Sequence, residues 1–390
     1  MRKLFISLLA VSLVFIFSTP APAAEKTMEE QIKTLVDVFG GWSFYGSARF
    51  ATFYEKSDSN FTKDNDKVTN SVLSGPDQQE TQWALANNSR LGVAVNRGDN
   101  FGGRVELGLK NDGSVGLRLG YGSYTFGDVT LLIGQDYTPL SDWDYSNQVF
   151  NGDNNLAGWG IIDVDGKRIP QVKIKWNGLQ AALVENKDSD TCGLPASANA
   201  TTEVLMPNLE ARYRLSMDKF FGDIFGGVNS YKVKSKTLDI DKTVTSYALG
   251  LGGGLKIDPA FAKAMVWMAR NGKQMGLHQA DATGATFAAD NSLIADKDFG
   301  WALIAGANIQ TVSLEAGYGF VSSEKDTSGV SKDKAQNYYV NASIPIAQNT
   351  LKTAKFSIVP EVGVYDYMKD SSSKDQGKAT YVGAKWQVSF

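Results

Sequence analysis

Arg49, Arg90, Arg104 and Arg118 stand in four successive stretches of alternating polarity, each on the polar parity of its stretch. Farther along, the polar segment 137–167 carries Asp142, Asp144, Asp153, Asp163 and Asp165. Opposed rows of fixed charge across an opening make a transverse field, which orders water and polar solutes and biases the local ion ratio. A plainer role for the arginines is to keep a polar wall hydrated. The aspartates, with Asn154 and Asn155, also supply the hard oxygens calcium prefers. They lack the spacing and the glycine of an EF-hand loop, so solvation of a loop is the plainer reading there.

Little else in the chain could do covalent chemistry. His278 is the only histidine and Cys192 the only cysteine, which excludes a multi-histidine zinc site and an internal disulfide. Paired carboxylates serve glycoside hydrolysis only at a separation of ~5–9 Å, which spacing in sequence does not set. The glycine run around Gly250 to Gly254 is not followed by a helical pattern, so it is no dinucleotide fingerprint. The net charge of −3 is too balanced for a nucleic-acid binder. These residues point away from an enzyme, a cofactor and a metal site.

The elements that must position the charges follow from periodicity. Residues 1–24 open with Arg2 and Lys3, run apolar from Leu4 to Phe17, and leave through Ala21, Pro22 and Ala23, as an export signal peptide does. Residues 25–40 read as one short helix with a Thr27–Glu30 capping box. At that length it needs a partner, either the body of the protein or the same helix in a second copy. No later run of ~18 apolar residues offers a membrane-spanning helix.

From residue 41 to 390 the period is two. Phe101, Val105, Leu107 and Leu109 alternate with Arg104, Glu106 and Lys110. Val115, Leu117, Leu119 and Tyr121 alternate with glycines and Arg118. Sixteen such stretches are countable, with fourteen and eighteen as alternatives. The stretch 261–271 suits a helix nearly as well, and Pro207 and Pro360 fall inside strand-like runs. Connections alternate between long and short: 56–80, 137–167, 189–204, 272–297 and 324–334 are long, and those between them are mostly tight. Segments of about ten residues, apolar on one side and polar on the other, are the pattern of an all-β, antiparallel transmembrane barrel. An even strand count puts both ends of the barrel chain on one side of the membrane.

The last ten residues, Tyr381 to Phe390, set Val382, Ala384, Trp386 and Val388 against Gly383, Lys385 and Gln387 and stop on an aromatic. This resembles the C-terminal strand by which the barrel-assembly machinery reads outer-membrane proteins, with Trp386 and Phe390 as the signal. Length and strand count resemble the sixteen-stranded trimeric porins of Gram-negative outer membranes. The opening Gly41 to Phe50 is similar to that of porins from sulfate- and metal-reducing bacteria. The resemblance implies a homotrimer among outer-membrane lipid and lipopolysaccharide, reached by Sec-dependent export, with a water-filled channel for ions and small hydrophilic solutes. It also implies that the third external loop, 137–167 here, folds into the lumen, with Asp142, Asp144 and Asp153 facing Arg49, Arg90, Arg104 and Arg118. The familiar Pro-Glu-Phe-Gly-Gly loop tip is replaced by the run Asn151 to Gly158. A channel dedicated to one substrate, and a barrel sheathing an electron-transfer protein, are the alternatives.

Overall fold

The computed structural model describes residues 41–390 apart from 63–70, 87, 99, 142, 151–155, 165–166, 187–189, 279, 281–283 and 351–352. The expected signal peptide and helix, and Asp142, Asp153 and Asp165, lie outside the described residues.

Sixteen antiparallel staves close into one barrel. They are β1 (Trp42–Ser57), β2 (Gln79–Leu85 and Ser89–Arg97), β3 (Phe101–Leu109) and β4 (Val115–Phe126). β5 (Val129–Tyr137), β6 (Arg168–Trp176), β7 (Leu179–Val184) and β8 (Thr201–Val204 and Asn208–Ser216) follow. Then come β9 (Phe220–Ser235), β10 (Ile240–Ile257), β11 (Ala260–Arg270) and β12 (Asp296–Ile309). β13 (Val312–Lys325), β14 (Asp333–Gln348), β15 (Lys355–Asp366) and β16 (Lys378–Ser389) complete the wall. β16 pairs with β1 from Ser47 opposite Ser389 to Ser57 opposite Ala379, so the sheet has no free edge. The closure is finished by Phe390, whose N–H donates to Gly46 O at 3.0 Å while Gly46 N–H donates to Phe390 O at 2.7 Å.

One end of the barrel carries tight turns at 98–100, 127–128, 177–178, 217–219, 258–259 and 310–311, and a slightly longer one at 349–354. The other carries the long connections, among them 58–78, 138–167, 271–295 and 367–377. Side chains alternate across the wall as the period demands. Val105 and Leu107 are exposed on the outside, whereas Glu106 between them is buried within. Outward aromatics gather in two bands: Phe44, Phe101, Phe126, Trp176 and Phe220 at the tight-turn end, and Tyr54, Trp83, Phe299 and Tyr338 toward the other. Such girdles sit where an apolar barrel surface meets headgroups.

The ambiguous stretch 261–271 is a strand; its ladder to β12 runs unbroken from Ala260 to Arg270. Pro207 interrupts β8 rather than sitting in its ladder. Pro360 does lie within β15, but the ladder to β14 pairs Asn341 with Glu361 and resumes at Ile344 with Ile358, so the missing donor falls in the gap. β2 is also broken, by a kink in which Ser89 N–H donates to Ala86 O at 2.8 Å. The expected alternation in β4 fails at one point. Glu106 pairs with Leu119 and Leu107 with Leu117, leaving Arg118 as the extra residue of a β-bulge. Leu119 therefore turns inward beside Arg118 instead of outward, and is buried.

The seam gives a direct test. A Cβ on Gly46 would stand 2.7 Å from the Phe390 ring. Gly46→Val, like deletion of Phe390, is expected to lower the heat-modifiable, folded fraction in detergent gels and the strand signal in circular dichroism. Normal folding of both variants would show that the seam does not depend on this contact.

Candidate functional site

Three of the four expected arginines converge on one carboxylate. Arg118 Nε donates to Glu106 Oε1 at 2.7 Å, Arg104 Nη2 to Oε2 at 3.1 Å, and Arg90 Nη1 lies 3.5 Å from Oε1. Tyr45 OH donates to Oε2 at 2.9 Å, and the Arg104 guanidinium lies 4.6 Å over the Tyr45 ring. The network extends to β6 through Tyr137, whose hydroxyl accepts from Arg118 Nη2 at 3.4 Å and from Arg168 Nη1 at 3.2 Å. Arg49 stands apart, with Nε on Ser47 Oγ at 3.2 Å. The Glu106 side chain has no exposed surface, whereas those of Arg90 and Arg104 remain 23% and 35% exposed. The carboxylate is buried as the anchor and the guanidiniums face the lumen. The bulge in β4 is what aims Arg118 at it.

The long segment 138–167 turns into the barrel. Its root is pinched where Thr138 N–H donates to Lys167 O at 3.1 Å. Phe150, Leu156, Trp159, Ile161 and Ile162 are at most 1% exposed and join Phe53, Trp267, Tyr365 and Tyr381 of the wall in one apolar cluster. Each such side chain contributes ~1.5–3 kcal/mol by burial. Ordering a loop costs ~1–2 kcal/mol per residue, and a buried backbone donor left unpaired costs ~1–3 kcal/mol more. The wall meets that demand with carboxylates. Glu361 accepts Val149 N–H at 2.8 Å and Phe150 N–H at 2.9 Å, Glu315 accepts Asn147 N–H at 2.5 Å, and Glu210 accepts Leu140 N–H at 3.2 Å. Tyr145 OH donates to Asp223 at 2.6 Å. The chain passes so close to β13 that a Cβ on Gly319 would lie 1.6 Å from Trp159 O.

The two described acidic residues of this segment, Asp144 and Asp163, find other partners than the arginines of β2–β4. Asp144 pairs with Arg214 of β8 at 3.1 Å. Asp163 is buried and pairs with Lys167 at 3.0 Å and with His278 at 3.2 Å. Among the described residues, no group of three His, Cys, Asp or Glu side chains is placed to hold a metal. At the seam, Trp386 faces outward and its Nε1 donates to Thr52 Oγ1 at 2.9 Å.

The sequence places Glu106 on the polar parity without giving it a role and does not single out Glu315, Glu361 or Asp223, yet these four organise the interior. Each sits on the inward parity of its strand, so the signal was present as a carboxylate on a wet face. It could not be told from ordinary wall charge without knowing where the loop runs.

No protein-family model matches the chain, and no curated protein matches it in sequence. Solved structures do. The outer membrane channel DcaP of Acinetobacter baumannii is 19% identical over 90% of this chain and 97% of its own, with a TM-score of 0.63. The trimer form of the outer membrane protein OmpT of Vibrio cholerae is 17% identical over 90% of this chain and 99% of its own, with a TM-score of 0.56. The anion-selective porin of Comamonas acidovorans is 12% identical over 90% and 99%, with a TM-score of 0.56. The chain has the porin fold. At these identities the likeness concerns the path of the chain. Within that fold, the inner wall is paired with segment 138–167.

That pairing predicts an outcome for Gly319→Val. The new side chain occupies the space of the Trp159 carbonyl, so the segment is expected to leave the wall. Proteinase K should then cleave between residues 143 and 164 in the folded barrel and not in the parent. Equal protection in both would show that the loop is held independently of this contact.

Proposed function

We propose that this protein is an outer-membrane porin of a Gram-negative cell: a passive, water-filled channel rather than an enzyme. The observation that carries the reading is the division of the interior. Segment 138–167 packs on the inner faces of β8, β9, β11 and β13–β16 and narrows the lumen there. The part it leaves open is bounded by the arginines of β2, β3, β4 and β6. Solutes pass between a packed loop and a basic wall, so small hydrophilic solutes cross and anions are favoured, since lumen charge sets the local ion ratio.

The tight-turn end lies in the periplasm and the long loops face outside, the usual asymmetry of such barrels. A homotrimer in outer-membrane lipid and lipopolysaccharide, assembled through the C-terminal Trp386–Phe390 strand, belongs to the same reading. The loop's apolar cluster fills space that a sheathed electron carrier would need, which weighs against the sheath alternative. A channel dedicated to one substrate remains the second reading, favoured by the specific disposition of the arginines on Glu106.

Planar-bilayer recording tests the proposal. Deleting Asp142 to Asn155 should raise single-channel conductance. Arg90→Gln with Arg104→Gln should shift selectivity toward cations, and Glu106→Gln should shift it toward anions. Both shifts should shrink between 0.1 M and 1 M salt, as the screening length falls from ~10 Å to ~3 Å. A protein that forms no channels overturns the function. Selectivity that ignores all three charges overturns the role given to the basic wall.

A further inference from the structure

A second polar recess lies on the tight-turn side of the loop, away from the Glu106 cluster. It encloses about 490 Å³ between β5, β6, β7, β8 and the root of segment 138–167. Trp143 and Asp144 come from the loop, Lys175 from β6, and Arg212 and Arg214 from β8. The size is that of a small-molecule site.

The two arginines are fixed differently from the groups around them. Arg212 Nε donates to Asp223 Oδ1 at 2.9 Å, and its guanidinium stacks 4.4 Å over Trp143. Arg214 is gripped along one edge, with Nε 2.9 Å from Asp223 Oδ1 and Nη2 2.8 Å from Oδ2, and lies 4.5 Å over the Phe221 ring. Asp223 has no exposed side-chain surface, so this edge is permanent. The other edge meets Asp144, whose Oδ1 accepts from Nη1 at 3.1 Å and Nη2 at 3.2 Å. The Asp144 side chain is 76% exposed.

An exposed carboxylate on a preorganised guanidinium is a weak, exchangeable occupant. It also has somewhere to go, because Lys263 Nζ already donates to the Asp144 backbone oxygen at 2.8 Å. Lys175 stands in the same recess with its side chain 41% exposed and its ammonium 3.9 Å from Asp136.

We propose that this recess is a transfer site for small organic carboxylates that carry a flat apolar body. The solute's carboxylate replaces that of Asp144 on the outer edge of Arg214, within reach of Lys175. Its body lies against Trp143, and the Asp144 carboxylate swings to Lys263. No bond is made or broken; one ion pair is exchanged for another. Asp144 is then a resident substitute for the solute, filling the site when it is vacant and expelling the solute when it returns. Such exchange keeps the guanidinium paired throughout and avoids the deep well that would trap a permeating anion. The proposal rests on the channel reading above, since it supplies that channel with a stopping place.

Calorimetric titration of the detergent-solubilised full-length protein with benzoate, and with acetate as the ring-less comparison, tests it. Benzoate should bind and acetate more weakly. Asp144→Asn should tighten benzoate about fivefold, the order expected for removing one partly screened charge-assisted competitor. Asp144→Glu keeps the competing carboxylate and should leave the affinity near that of the parent. Lys175→Gln should weaken binding by a similar factor. Heat-modifiable migration confirms that each variant is folded. No benzoate binding, equal binding of acetate, or no gain in Asp144→Asn overturns the proposal. Bilayer recording of the same preparations separates the two readings: channels without benzoate exchange sink only the site, whereas absence of channels sinks the porin reading itself.

Discussion

A strand in hydrocarbon must find a partner on both sides, because no water is there to accept its N–H groups or donate to its carbonyls. Everything in this molecule depends on meeting that demand between residues far apart in the chain. β1 and β16 are joined across more than three hundred residues, and the last rung pairs Gly46 with Phe390. Once the ladder is closed the outer surface is free to be apolar and the inner surface must deal with everything polar. The irregularities are placed where the demand can be relaxed. Pro207 sits in a break of β8, Pro360 at a gap in the β14 ladder, and Arg118 in a bulge that opens toward the lumen.

Inside, the problem is inverted. A loop entering the barrel brings backbone donors away from bulk water, and no neighbouring strand has carbonyls to spare for them. Wall carboxylates take that role at Glu210, Glu315 and Glu361, while Asp223 takes the hydroxyl of Tyr145. Glu106 does the complementary work on the opposite side, gathering guanidiniums instead of amides. Negative charge is thus used for architecture, buried and satisfied, and beside Glu106 the charge left partly exposed is that of Arg90 and Arg104. A sequence with a net charge of −3 presents a basic wall at β2–β4 because Glu106 there is buried beneath its arginines.

The strands were legible because period two carries one bit per residue and the barrel uses it throughout. Even Ala260–Arg270, whose composition suits a helix, follows the parity of its neighbours. What escaped was everything decided by insertion of one residue or by a distant partner. A single bulge turned Leu119 inward, against its hydropathy. The arginines of β2, β3 and β4 could be assigned a side from parity alone, but their common partner Glu106 could not, since pairing across strands depends on register. The acidic loop looked like a counterpart to those arginines. The described acids, Asp144 and Asp163, are instead held by Arg214, Lys167 and His278, residues whose proximity only the folded path of the loop creates.

The staves are unequal in length. β3, β5, β6 and β7 span nine, nine, nine and six residues, whereas β9, β10, β12 and β14 span sixteen, eighteen, fourteen and sixteen. Since all of them start from tight turns at one end, the difference falls at the other. At ~3.3 Å per residue the parapet drops by roughly 20 Å along the strand direction at β3 and β5–β7. The mouth is therefore cut obliquely, like a quill. In the channel reading proposed above, an anion approaching over the low lip meets Arg104 and Arg168 before it has shed its freedom to turn, whereas one arriving over the tall side first passes the longer strands. Under that reading, capture from the bulk is lopsided.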